Sequence, residues 1–90
     1  MSGTILITGA AGFIGFHICK KLIEKNEKVI GLDNFDSYYD ISLKKARINK
    51  LEKLDGDFTF YENNIENLEF LDHIFKSYRP DYVFNLAAQA

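Results

Sequence analysis

The sequence predicts an α/β fold, a doubly wound parallel sheet of which the chain carries the first half plus one strand. Three observations predict it. Short apolar, β-branched runs alternate with stretches of helical periodicity along the 90 residues. A glycine turn, Gly9-Ala10-Ala11-Gly12-Phe13-Ile14-Gly15, joins the first run to the first helix. An acid, Asp33, ends the second run, roughly 20 residues beyond that turn. Strands separated by helices pair in parallel through right-handed crossovers, and a phosphate-type turn on the first unit suggests strand order 3-2-1-4. The first two helices then share one face, the third lies on the other, and the fourth strand is an open edge.

Residues 4–8, Thr-Ile-Leu-Ile-Thr, read as a buried strand. The glycine turn follows, and each glycine has a separate task. Gly9 permits the tight turn, Gly12 lets the backbone approach a pyrophosphate, and Gly15 lets the helix pack closely. The first helix is expected over residues 16–26, with Ile14, Ile18, Cys19 and Leu22 on its apolar face and Lys20, Lys21, Glu24 and Lys25 outside. Strand, glycine turn and helix N-terminus in that order form an anion site, because the free first-turn amides and the helix dipole favour a phosphate. The spacing is G-x-x-G-x-x-G, and no Gly-Lys-Ser/Thr follows, which excludes a P-loop.

Residues 27–32 form a second strand ending at Asp33-Asn34. A carboxylate there accepts hydrogen bonds from adenosine ribose hydroxyls and repels a 2′-phosphate, favouring NAD over NADP. The alternative for Asp33 is a turn or helix cap. Residues 35–40 are polar and aromatic, a loop able to cover the adenosine side. A second helix spans 41–54, with Ile41, Ile48 and Leu51 at helical spacing. Its cations, Lys44, Lys45, Arg47, Lys50 and Lys53, read mostly as a solvated face. Asp55-Gly56 ends it, glycine supplying the left-handed conformation.

Residues 58–61 are the third strand, with Asn63-Asn64-Ile65 at its carboxyl end. The third helix spans 68–78, capped by Asn67, with Leu68, Leu71, Ile74, Phe75 and Tyr78 on its apolar side, and Pro80 ends it. Residues 81–86 are the fourth strand, and 87–90 begin a loop.

A hydrophobic content of 47% supports a packed core, and a net charge of -2 gives no footprint for nucleic acid or an anionic membrane. No apolar run reaches membrane-spanning length, and residues 1–3 lead straight into the first strand, so a cytoplasmic protein is expected. Cys19, the one cysteine, excludes an internal disulfide and reads as a small core residue. His17 and His73 have no companions at ligand spacing, so no metal is expected.

With these elements placed, the chain resembles the extended short-chain dehydrogenase/reductase superfamily, and within it the nucleotide-sugar epimerases and dehydratases. The runs Gly12-Phe13-Ile14-Gly15-Phe16-His17, Gly31-Leu32-Asp33-Asn34, Tyr38-Tyr39-Asp40 with Leu43-Lys44, and Asn85-Leu86-Ala87-Ala88-Gln89-Ala90 look like those of UDP-glucuronate 4-epimerases. The resemblance implies that residues 1–90 are the N-terminal part of a Rossmann-type NAD-binding domain. It gives the Phe13 and Ile14 amides to the pyrophosphate and Asp33 and Asn34 to the adenosine ribose. Asn64 and Ile65 would flank the adenine, and Leu86, Ala87 and Ala88 would line the nicotinamide side. Where Asn64 stands the family usually has aspartate, and the amide oxygen can accept the same hydrogen bond without a charge.

The family's chemistry is transient hydride transfer to NAD, assisted by a tyrosine in Tyr-x-x-x-Lys. The residues four beyond Tyr38, Tyr39, Tyr61, Tyr78 and Tyr82 are Ser42, Leu43, Ile65, Tyr82 and Leu86, so no catalytic residue is assigned. The expected function is the NAD-binding portion of a UDP-glucuronate 4-epimerase, whose catalytic and sugar-binding parts lie outside this chain. The parent would bind a UDP-sugar. The alternatives are a dehydratase or reductase of the same superfamily, or a stand-alone NAD-binding module. An open fourth strand leads us to expect a homo-oligomer.

Overall fold

A computed structural model describes residues 3–35 and 41–86. The element order is β1 (Thr4–Thr8), α1 (Phe13–Glu24), β2 (Lys28–Asp33), α2 (Ile41–Glu52), β3 (Asp57–Glu62), α3 (Leu68–Tyr78) and β4 (Tyr82–Asn85). The four strands form one sheet in the order β3-β2-β1-β4, with every neighbouring pair parallel. This is the expected α/β arrangement, the first half of a doubly wound fold.

Alternation along β1 and β2 divides the core between the two faces, because successive side chains of a strand point opposite ways. Ile5, Ile7 and Val29 pack with Phe16, Cys19 and Ile23 of α1 and Ile48 and Leu51 of α2. Leu6, Ile30 and Leu32 face Ile74 of α3, with Tyr61, Phe70, Leu71 and Tyr78 closing around it. The Tyr61 and Tyr78 hydroxyls share a hydrogen bond, which, with some desolvation, raises the Tyr61 pKa. Cys19 is a core residue, and burial pushes its thiol up to about 12.

Several local expectations need correction. Helix α1 begins at Phe13 rather than residue 16, directly on the glycine turn, and Ile14 is exposed instead of joining the apolar face. Phe16 and Ile23 take the buried positions beside Cys19. In α2, Ile41 is exposed while Lys44 is buried with Ile48 and Leu51. In α3, Leu68 and Phe75 are exposed, since α3 alone covers its face and these two side chains lie beyond the reach of the sheet's cluster. Gly56 is not left-handed: among the described glycines only Gly3 and Gly9 have positive φ. Its lack of a side chain instead admits Ile23, whose Cγ2 would lie 2.6 Å from a Cβ at position 56. The left-handed residues that end helices are Asn26, past α1, and Arg79, the C-cap of α3.

Strand β4 is the least covered element. Tyr82, Val83 and Phe84 are all exposed, on an edge strand of the four-stranded sheet. An apolar cavity of about 230 Å³ opens between α3 and the β1–β4 pair, lined by Leu6, Thr8, Ile65, Leu71, Phe75, Val83 and Asn85.

Candidate functional site

The carboxyl ends of the strands place the candidate residues in one row. Thr8 stands in register with Leu32 of β2 and with Asn85 of β4, and Asp33 stands opposite Glu62 of β3. Beyond β1 the chain turns at Gly9, whose φ of 75° is open to glycine at little cost. The Gly9 and Ala10 amides then donate to the carbonyl of Leu32 at 2.8 and 3.2 Å, so the turn leans onto β2. The Gly12 amide closes back on the Gly9 carbonyl at 3.1 Å. A Cβ at Gly15 would overlap that same carbonyl oxygen and lie 2.8 Å from its carbon. Gly15 is what lets α1 start against the turn, where its spacing had suggested close packing against the strand.

Gly12 is the N-cap of α1, in extended conformation (φ −72°, ψ 169°), and no side chain caps the helix. Its first turn contains no acid. The amides of a helix's first turn have no partner within the helix. At α1 they open beside Phe13 and Ile14, whose side chains are 66% and 61% exposed.

Asp33 sits under this turn, buried, and its carboxylate already has three partners. Oδ2 accepts from the Ala11 amide at 3.0 Å, Oδ1 accepts from the Phe35 amide at 2.7 Å, and the Lys44 ammonium lies 3.7 Å from Oδ1. The turn-cap reading and the ligand reading are therefore both open to Asp33, since a carboxylate has acceptor capacity beyond these bonds. Arg47, one turn along α2, donates from Nη1 to the Ala11 carbonyl at 3.0 Å, and its guanidinium lies 5.9 Å from the centre of the Phe13 ring. The sequence suggested a solvated face for most of the cations of α2 without singling out these two as the exceptions. The spacing of Lys44 with Ile48 and Leu51, four and seven residues apart, is the signal that places it on the buried stripe. Lys45, Lys50 and Lys53 are exposed, as expected.

The other assigned residues are distributed around the strand ends. Asn34 is exposed beside Asp33. The Asn63 amide donates to the Asp33 carbonyl at 3.0 Å, joining the ends of β3 and β2. The Asn64 side chain is exposed, and its Oδ1 accepts from the Glu66 amide at 3.0 Å in a local turn. Ile65 lines the cavity on the α3 face rather than the glycine turn. The Leu86 amide donates to the Thr8 carbonyl and hydroxyl at 3.0 and 3.1 Å. The Thr8 hydroxyl in turn donates to Asn85 Oδ1 at 2.6 Å, fixing the exit of the edge strand. Ala87, Ala88 and residues 36–40, where a covering loop was expected, lie outside the described residues. Among the described residues no group of three ligating side chains could hold a metal, and no helix is long and apolar enough to cross a membrane.

A glycine turn on β1, an uncapped helix behind it and a buried acid at the end of β2 follow the arrangement of the dinucleotide-binding class of α/β folds. The GDP-mannose 4,6 dehydratase family model matches residues 6–90, and the chain belongs to that family, within the extended short-chain dehydrogenase/reductases. It is 48% identical over 86 residues to Protein CapI of Staphylococcus aureus, covering 96% of this chain and 25% of that protein. It is equally similar, 48% over 87 residues, to UDP-glucuronate 4-epimerase 4 of Arabidopsis thaliana, covering 97% of this chain and 20% of that one. A solved UDP-glucuronic acid 4-epimerase from Bacillus cereus, a Y149F mutant in complex with UDP-4-deoxy-4-fluoro-glucuronic acid and NAD, superposes with TM-score 0.82 at 38% identity. That match covers 94% of this chain and 26% of the Bacillus chain. The chain thus spans about a quarter or less of the relatives it matches.

Proposed function

We propose that this chain is the N-terminal, NAD-binding portion of a nucleotide-sugar epimerase that interconverts UDP-glucuronate and UDP-galacturonate. The observation that carries the reading is the uncapped start of α1 on a glycine turn, in a chain 48% identical to a UDP-glucuronate 4-epimerase. The dehydratases of the family share this cofactor half, and the identity to glucuronate epimerases favours epimerisation.

The cradle fits the diphosphate of a dinucleotide. No side-chain cap is made at the start of α1 among the described residues, and a Cβ at Gly12 would press on the Gly9 carbonyl at 3.3 Å. The Phe13 and Ile14 amides and the helix dipole would hold the phosphates. The Asp33 carboxylate, with Asn34 beside it, would accept the adenosine ribose hydroxyls on the lone pairs its own loop leaves. Asn64 and Ile65 would border the adenine, and Leu86, Ala87 and Ala88 the nicotinamide. Bound NAD supplies the hydride acceptor; the residues of this chain bind and orient it. No Tyr-x-x-x-Lys occurs here, so this chain by itself is expected to have no epimerase activity. Its apolar β4 edge favours self-association, which sedimentation at several concentrations would reveal as a mass rising with concentration.

Calorimetric titration with NAD and NADP tests the cofactor assignment. NAD is expected to bind more tightly, and Asp33→Ala to weaken it by about 1.5–3 kcal/mol, the range for hydrogen bonds to a charged group. Equal affinity for the two nucleotides, or an Asp33→Ala variant that binds NAD normally, would sink it.

A further inference from the structure

We propose that Lys44 and Arg47 of α2 are positioning residues for the glycine turn, fixing the backbone around Ala11 so that the Phe13 and Ile14 amides stand ready for an anion. The proposal rests on reading that turn as a dinucleotide site, and it adds to that reading two residues from an element not otherwise part of the site.

Ala11 is gripped at both of its backbone groups. Its N–H donates to Asp33 Oδ2 and its C=O accepts from Arg47 Nη1, each at 3.0 Å. The first tie comes from β2 and the second from α2, so the residue bridges two elements distant in sequence. The peptide that follows, Ala11–Gly12, cannot rotate without breaking the charge-assisted bond from Arg47. Rotation would also break the bond from the Gly12 amide to the Gly9 carbonyl. Gly12 in turn sets the direction of α1, because the Phe16 amide closes the first helical turn on its carbonyl at 2.8 Å.

Lys44 acts one step further back. It is buried, and its ammonium faces the Asp33 oxygen that also receives the Phe35 amide. The ammonium gives the buried carboxylate a partner of opposite charge, where an isolated buried charge would be costly. The charge on Asp33 strengthens its hold on the Ala11 amide. Phe35 sits at φ 53°, a costly conformation for a bulky residue, and the bond to Asp33 compensates it. A turn containing Gly9, Gly12 and Gly15 has much backbone freedom to lose when it binds a ligand. Ties from β2 and α2 remove that freedom beforehand, which raises affinity by preorganisation.

Amide exchange of the 15N-labelled chain, together with NAD titration, tests the proposal with Arg47→Gln, Arg47→Lys and Lys44→Met, and with Lys50→Ala as control. Arg47→Gln is expected to speed exchange at Ala11 and Gly12, leave the α3 amides unchanged, and weaken NAD about tenfold. Arg47→Lys keeps a cationic donor and is expected to restore part of both losses. Lys44→Met is expected to speed exchange at Ala11 and Phe35 together. If Arg47→Gln unfolds the chain, Arg47→Lys and Lys44→Met still decide. Exchange at Ala11 as slow as in the unsubstituted chain for the folded variants, or a loss spread evenly over α3 and the glycine turn, would overturn the proposal. Failure of the unsubstituted chain to bind NAD counts against the dinucleotide reading alone, because the exchange rates judge the ties without any nucleotide.

Discussion

Two helices of this chain begin in opposite ways. At α3, Asn67 accepts a hydrogen bond from the Phe70 amide at 3.1 Å, and Glu69 places a negative charge in the first turn. The helix is complete in itself. At α1, the N-cap is Gly12, there is no side-chain cap hydrogen bond among the described residues, and the first turn holds no acid. A cap contributes typically about 1 kcal/mol, so α1 forgoes stabilisation that the same chain obtains at α3. The lesson is that a missing cap carries information when the glycines around it are held in place. Here Leu32, Asp33 and Arg47 hold the turn before the helix, at Gly9, Ala10 and Ala11, and leave the first-turn amides themselves to a ligand.

The contrast can be broken from either end. The largest effect is expected of Gly15→Ala, whose Cβ has no room beside the Gly9 carbonyl. Overpacking against backbone should cost on the order of 3 kcal/mol, read as a lower midpoint in urea denaturation, and should abolish NAD binding as α1 moves off the turn. Next comes Gly12→Asp, which gives α1 the carboxylate cap it lacks. NAD affinity is expected to fall at least about tenfold, because the protein's own anion occupies the amides, while stability changes by less than about 1 kcal/mol. Smallest is Asn67→Ala, with a loss of about 1 kcal/mol in stability and no change in NAD affinity. Reversed outcomes for the last two, with NAD sensitive to Asn67 and indifferent to position 12, would erase the distinction between the helices.

Much of this was legible in the sequence, for physical reasons that differ by element. Strand β1 was clear because a buried parallel strand is a continuous apolar run, and Asn67 because an N-cap announces itself. Gly9 and Gly15 were legible because backbone geometry admits so few residues at their positions. The start of α1 was placed three residues late, since Phe13 and Ile14 are helical without being buried. Lys44 and Arg47 were missed because their long side chains follow tertiary contacts, and a run of cations on a helix looks the same whether it meets solvent or a carboxylate. Leu68 and Phe75 misled in the opposite direction. Their helical spacing suggested a core that α3, alone on its face of the sheet, does not provide.

The most direct test follows the backbone amides of the 15N-labelled chain by NMR while NAD is added. The Phe13 and Ile14 signals at the foot of α1 are expected to shift with NAD concentration and saturate, while the Phe70 amide at the foot of α3 stays in place. Saturable NAD binding that leaves Phe13 and Ile14 unmoved would contradict the assignment of the glycine turn as the phosphate site.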